Sequence, residues 1–425
     1  MSIVPMAPCL VRPFKKGIPA VIDDPTSDYF DALETRSADE RASDQLRVLR
    51  GQIAKAAAAP GACRITGYDV QDIDDLARLP VLRKSDLAMW QAENPPFGGM
   101  AIARIPHVFQ SPGPIYEPGG TSHDWWRMGR FLHACGIGKN DIVQNCFSYH
   151  LTPAGMIFEN GAAAVGARVL PAGTGQTELQ AQAAADIGIT AYAGTPDYLK
   201  VILDKGDAMG LDLSRITRAA VGGGALFPSL RTEYADRGIQ CLQSYATADL
   251  GNIAYESSAM EGMIVDEGVI LEIVTPGTGN PVAVGEVGEV IVTTLNPDYP
   301  LIRFATGDLS AILPGTSPCG RSNMRIKGWM GRADQSAKIK GMFVRPEQVA
   351  ALVAAHPEVL KARVIVARVG EQDTMIVQVE AANGDTDAIA ATVQSVLKLR
   401  GTVEIHAPNS LPKDGLVIED KRTYE

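Results

Sequence analysis

From residue 125 to about residue 240 helical and strand signals alternate without interruption, and this restricts the fold more than any other feature of the chain. The segments "DIVQNCF", "RVLPA", "ITAYAG" and "ITRAAVGGG" are short apolar runs that read as strands. "WWRMGRFLHACG", "GMIFENGAAAVGA", "TELQAQAAADIG" and "PDYLKVILDKGDAMG" read as helices between them. Strands joined through helices run parallel and need cover on both faces. Glycines at the helix exits fit the same succession. The expectation is a mostly parallel, helix-covered sheet with ligands at the loops that follow its strands.

On either side the texture changes. Residues 1–78 read as largely helical, above all 29–59, where Ala, Leu, Arg and Glu carry an i, i+3/i+4 apolar pattern that Pro60 and Gly61 stop. From 262 to 313 short strands such as "GVILEIVT" and "GEVIVTT" alternate with turns and predict a smaller antiparallel sheet or barrel. Residues 333–425 give a hairpin, two helices and three strands, a compact α+β unit. The expected class is α/β: a large domain over 1–331, divided into a helical segment 1–78, an α/β core 79–260 and a β subdomain 261–331, followed by a small α+β domain over 332–425. The 425 residues, 46% of them apolar, suffice for cores of this size.

Charge and cysteine usage narrow the function. A net charge of −10 leaves no excess of Lys and Arg to displace counterions, so neither nucleic acid nor an anionic membrane is expected as a partner. The cysteines at 9, 63, 135, 146, 241 and 319 form no C-x-x-C pair, which predicts reduced thiols in a cytoplasmic protein. No apolar run reaches the length of a bilayer span, and the first residues lack a secretory h-region.

Several stretches carry more specific information: "LARLPVLRKSDL" (76–87), "NPPFGG" (94–99), "PAGTGQTELQ" (171–180), "TPDYL" (195–199), "YPLIRFATGDLSAIL" (299–313) and "CGRSNMRIKGWMGRADQSAKIKGMFVRPEQV" (319–349). In order and spacing they resemble the adenylate-forming superfamily, most closely its phenylacetate-CoA ligase branch. The resemblance implies that a carboxylic acid attacks ATP to give an acyl-adenylate, that coenzyme A then displaces AMP, and that a mobile C-terminal domain swings between the two steps. It assigns the ribose hydroxyls to Asp308, whose two coplanar acceptors suit a cis-diol, with Arg332 near the ribose and phosphate. Gly222, Gly223 and Gly224 would let adenine lie against bare backbone. Tyr245 would stack on adenine, Thr247 touch phosphate and Asp249 stand where the family has an acid that helps a magnesium ion. Asp334 would be the hinge pivot, and Gly341 would leave room for the pantetheine arm.

Two departures concern adenylation. The family's phosphate loop is a flexible Ser/Thr/Gly run ending in Gly-Lys, but here it reads Ser111-Pro112-Gly113-Pro114-Ile115-Tyr116-Glu117-Pro118. Proline offers no donor and stiffens its neighbours. Glu117, near the place of the lysine, is expected to set a negative charge against a polyphosphate, a repulsion of about 4 kcal/mol at 4 Å and an effective dielectric near 20. At the C-terminus Leu416 follows Gly415 where the family has a lysine, and Lys413 and Lys421 are out of register with it. Zinc-binding cysteines known in part of the branch reduce here to Cys319, so no zinc site is expected.

"NCFSYHLTPAG" (145–155) adds Cys146 and His150 at a strand exit, with Tyr149 and Thr152 beside them. They form a candidate nucleophile and base for thioester chemistry, although a buried thiol and a satisfied histidine are the commoner arrangement. Three functions remain open at this point. One is an acyl- or aryl-CoA ligase acting on a small, aromatic acid. Another is an ATP-independent acyltransferase or thioester hydrolase. The last is a non-catalytic nucleotide or acyl-CoA binding protein. Coenzyme A or phosphopantetheine belongs to the first two, ATP, AMP and Mg2+ to adenylation. The expected partners are a small carboxylate or acyl thioester, with an acyl carrier protein as alternative acceptor and a homodimer among the allowed assemblies.

Overall fold

The computed structural model describes residues 28–57, 67–100, 105–111, 115–330, 333, 337–340, 342–344, 346–369, 372–408, 410–412 and 417–422. Gly113, Arg332, Asp334, Gly341 and Leu416 lie outside the described residues.

The four strands expected in the alternating region form where their apolar runs predict, and a fifth, Gln240–Thr247, joins them. Arg168–Pro171, Ile142–Asn145, Ala191–Gly194, Arg218–Val221 and Gln240–Thr247 lie side by side in that order, all parallel. The central ones are buried on both faces, which is why Ala191, Tyr192, Ala193, Ala219, Ala220 and Val221 show no polar alternation. Helices Ala154–Ala164, Thr177–Ile187 and Pro196–Met209 are the crossovers. The last starts on Pro196 and ends on Gly210 in the left-handed region, as helix punctuation requires. A further helix, Pro228–Asp236, connects Arg218–Val221 to Gln240–Thr247.

Gln240–Thr247 is the seam of the molecule. Its other edge pairs antiparallel with Gly251–Tyr255, and from there Met263–Val265, Arg325–Ile326, Phe304–Leu313, Val287–Thr294 and Val269–Val274 continue one twelve-stranded sheet. The antiparallel half thus begins one strand before residue 262. "GNIAY" is buried along its whole length and carries no alternating pattern that would announce it.

The C-terminal unit is a four-stranded sheet in the order Thr402–His406, Gln372–Ala381, Val359–Val369, Ile418–Asp420. Helices Pro346–Ala355 and Thr386–Leu397 belong to the same unit, and its core includes Val364, Val377, Ile389, Val393 and Leu397.

Within the N-terminal segment, the helix is Ala38–Ala57. It is tied down by charge as well as by its apolar face. Arg36 and Arg41 both pair with the buried Glu267, at 2.7 and 2.9 Å. Glu34, also buried, accepts from Tyr255 Oη at 2.7 Å and from Arg321 Nε at 2.5 Å. Among the described residues no helix is long and apolar enough to cross a membrane.

Candidate functional site

Asp308 owes its position to a bulge. In the strand Phe304–Leu313, Ala305 pairs with Ile291 and Leu309 with Glu289, so Thr306, Gly307 and Asp308 face a single residue, Val290. Gly307 takes φ +73, which a side chain would oppose, and Thr306 Oγ1 donates to Val290 O at 3.0 Å to close the irregularity. The bulge aims the Asp308 carboxyl toward Tyr245 on the seam strand. Tyr245 Oη donates to Asp308 Oδ2 at 2.8 Å, and Trp329 Nε1 donates to Oδ1 at 2.9 Å.

The glycine run follows directly from Arg218–Val221. Gly222 lies against Ser244, and a Cβ there would stand 3.0 Å from Ser244 Oγ; Gly223 has φ +69. Gly223 and Gly224 are exposed, so a stretch of bare backbone lies open one strand away from Tyr245. Phe147, whose ring edge would be 3.7 Å from a Cβ at Gly223, stacks on Phe158 with ring centroids 4.2 Å apart. Phe147 and the glycine backbone follow the C-terminal ends of parallel strands, where α/β sheets bind ligands, and Phe158 backs Phe147 from the helix Ala154–Ala164. Thr247 ends the seam strand and its Oγ1 accepts from Leu250 N at 3.2 Å.

The proline-rich stretch is a β-hairpin. His107–Ser111 pairs antiparallel with Ile115–Gly119, Ser111 opposite Ile115 and Phe109 opposite Glu117. Both edges are braced. Gln91 exchanges two hydrogen bonds with the backbone of Tyr116, at 2.7 and 2.8 Å, and Gln110 N donates to Leu151 O at 2.8 Å. Period-2 alternation turns Val108 and Tyr116 outward and Phe109, Ile115 and Glu117 inward.

That orientation corrects the charge assigned to Glu117 from sequence. Its carboxyl is buried, accepts from Ser111 Oγ and lies beside the carboxyl of Asp249. Burial first, then the neighbouring Asp249, pushes the Glu117 pKa up to about 8. At neutral pH Glu117 is largely protonated rather than a free anion facing a phosphate. Asp249 in turn is ion-paired with Lys84 Nζ at 3.0 Å, its own side chain buried while Lys84 is more open.

The Lys84 pair bears on the metal expected at Asp249. Among the described residues no three His, Cys, Asp or Glu side chains gather as a metal cage. With an ammonium group already on its carboxylate, Asp249 does not fit a magnesium ion in this arrangement. Cys319 lies 3.1 Å from Ser317 Oγ and 3.6 Å from Arg321 Nη1.

Cys146 and His150 are not brought together as nucleophile and base. Cys146 Sγ faces the helix layer, 3.1 Å from Gln180 Oε1, and burial pushes its thiol up to about 12. His150 is exposed on the following loop, its backbone N–H donating to Ser148 Oγ at 3.2 Å. A buried, protonated thiol held against Gln180 lacks the thiolate that such chemistry needs. Tyr149 bonds Asn145 and Glu159, at 2.8 and 2.9 Å.

Sequence reasoning passed over two residues of this site, Lys84 and Trp329. Lys84 opens the helix Lys84–Glu93, a position where the helix dipole disfavours a cation, and that local mismatch was its signal. Trp329 follows Gly328 at φ +93, an aromatic set on a sharp turn just before the hinge motif.

The AMP-binding enzyme family matches residues 126–296 of the chain. A phenylacetate-coenzyme A ligase of Escherichia coli (strain K12) is 31% identical over 356 residues, covering 76% of this chain and 78% of that protein. Another, from Aromatoleum evansii, is 29% identical over 382 residues, with 84% of this chain and 85% of the relative covered. Among solved structures, 2-hydroxyisobutyryl-CoA ligase in complex with 2-HIB-AMP and CoA in the thioesterification state shares the fold with a TM-score of 0.79 at 24% identity, over 94% of this chain and 93% of that one.

Proposed function

The chain belongs to the phenylacetate-CoA ligase family of AMP-binding enzymes, and from that premise we propose that it activates a small aromatic carboxylic acid as an acyl-adenylate and transfers the acyl group to coenzyme A. The observation that carries this reading is the convergence of Tyr245 and Asp308, from distant parts of the sequence, on one hydrogen-bonded site beside the exposed backbone of Gly223 and Gly224. In it adenine rests on the glycine backbone next to Tyr245, and the ribose hydroxyls bond to Asp308. The stacked pair Phe147 and Phe158 supports an aromatic acyl group, since flat rings pack edge-to-face or offset against such walls.

The chemistry then has two steps. A carboxylate oxygen of the acid attacks the α-phosphorus of ATP, the bond to pyrophosphate breaks, and the acyl-adenylate forms. The coenzyme A thiolate attacks the acyl carbon and AMP leaves with the bonding pair. Lys84 brings a positive charge to the hairpin side of the site, where Glu117 stands near the family's lysine position. Arg332, Asp334 and Gly341 enter as the family's linker, pivot and pantetheine positions. Cys135, Cys146, Cys241 and Cys319 are free thiols, which supports a reducing cytoplasm as the place of work.

The test is ATP–pyrophosphate exchange with a panel of aromatic and short aliphatic acids, beside assays that start from the acyl-CoA and use either coenzyme A or a pantetheine-bearing carrier protein. Exchange that depends on an aromatic acid, and that falls in Asp308→Ala as AMP binding weakens by about 1–3 kcal/mol, is the expected result. Acyl-CoA turnover without ATP, together with no exchange on any acid, would overturn the ligase reading.

A further inference from the structure

Asp308 presents two carboxylate oxygens, and both are engaged by side chains of the protein itself: Oδ2 by Tyr245 and Oδ1 by the indole N–H of Trp329. The carboxyl is buried, so its remaining lone pairs face few open directions. A ribose cis-diol that donates to both oxygens meets Trp329 on one of them, and the indole must yield or share that oxygen.

Trp329 is not on an independent loop. Residues 327–330 run beside the strand Phe304–Leu313, and three backbone bonds join this part of the chain to it: Lys327 N to Ala311 O at 2.9 Å, Met330 N to Leu309 O at 2.9 Å and Ala333 N to Gly307 O at 2.7 Å. Ser310 Oγ also donates to Gly328 O at 2.7 Å. Gly328, at φ +93, gives the segment a turn that a residue with a side chain resists, directly before the tryptophan. Trp329 is half-buried and Met330 exposed, so an indole leaving the carboxyl has solvent to move toward. The last of the three backbone bonds ends on Gly307, the bulge residue adjacent to Asp308. Whatever moves at the Asp308 carboxyl therefore meets the strip of chain that leads into the hinge motif.

We propose that Trp329 is a positioning residue that competes with the ribose for Asp308, so that nucleotide binding releases the indole and loosens residues 327–330 at the entrance to the hinge. The inference rests on the assignment of the ribose to Asp308 made above. Linkage makes the effect reciprocal: a segment held by Trp329 weakens nucleotide binding by the same factor by which nucleotide weakens the hold.

The experiment titrates AMP into wild type, Trp329→Phe and Asp308→Ala, following tryptophan emission and calorimetric affinity. Phenylalanine keeps an aromatic ring and removes the N–H donor. Trp329→Phe is expected to bind AMP about tenfold more tightly, the size of a lost hydrogen bond to a charged acceptor, and to lose the larger part of the emission change. Unchanged or weaker AMP binding in Trp329→Phe, while Asp308→Ala still weakens it, would overturn the competition and leave the ribose site standing. Unchanged affinity in Asp308→Ala would instead remove the ribose assignment itself. Hydrogen exchange of the peptide spanning 327–330 in the wild-type protein needs no variant: faster exchange with saturating AMP is expected, and unaltered or slower exchange contradicts the proposal.

Discussion

Glu117→Gln should flatten a pH dependence of stability that the wild-type protein carries. In the folded chain the Glu117 carboxyl is buried, accepts from Ser111 and lies beside Asp249, and its pKa is pushed up to about 8. In the unfolded chain it returns to the ordinary glutamate range, about 4.3. Between these two values the folded protein holds one proton more than the unfolded chain. The contribution is therefore fully present below the unfolded value and is lost as pH rises through the folded one. One extra proton corresponds to a slope of about 1.4 kcal/mol per pH unit, or about 3 kcal/mol between pH 5.5 and 7.5. Glutamine has no proton to lose. Measured against wild type, the variant should gain that amount over the interval. Urea unfolding at about pH 5.5, 6.5 and 7.5, followed by tryptophan emission, reads the difference locally, because Trp126 packs on Phe109 of the same hairpin with ring centroids 6.1 Å apart. Wild-type and variant stabilities that change in parallel with pH would refute the raised Glu117 pKa.

Lys84→Met leaves the buried Asp249 with Glu117 alone, so it should cost about 1–3 kcal/mol of stability and reduce pyrophosphate exchange, whereas Lys84→Arg should restore much of both. Equal activity in wild type and the methionine variant would take Lys84 out of the site. Cys146→Ala should keep acyl transfer at the wild-type rate, because the thiol is buried against Gln180; a fall of more than tenfold in turnover would restore it as a nucleophile.

The parts of the fold that could be read from sequence are those whose signal is local. The strand runs of the alternating region and the crossover helices between them announce themselves through apolar runs and helix-end glycines. Gly251–Tyr255 and Ile418–Asp420 do not, because one is uniformly buried and the other only three residues long. The site divides in the same way. Asp308 and the glycine run lie inside motifs and carry their chemistry in neighbouring residues. Lys84 and Trp329 acquire theirs only when folding sets them against Asp249 and Asp308.

Glu117 shows most clearly why a residue's formal charge is a poor guide once it is buried. Read along the chain, it turns a phosphate loop repulsive. In the folded hairpin it is buried beside Asp249, with its pKa pushed up to about 8, and Lys84 is ion-paired with Asp249. Near neutral pH Glu117 is therefore largely uncharged, so the repulsion expected of an isolated anion is mostly absent. The bonds from Gln91 to Tyr116 and from Gln110 to Leu151 tie down both paired strands of the hairpin, where a glycine-rich loop would be free to wrap a triphosphate, and Lys84 stands beside it on Asp249. If the adenylation proposed above takes place here, it is expected to depend on whether Lys84 can serve Asp249 and a phosphate together, which is what the methionine and arginine variants at that position separate.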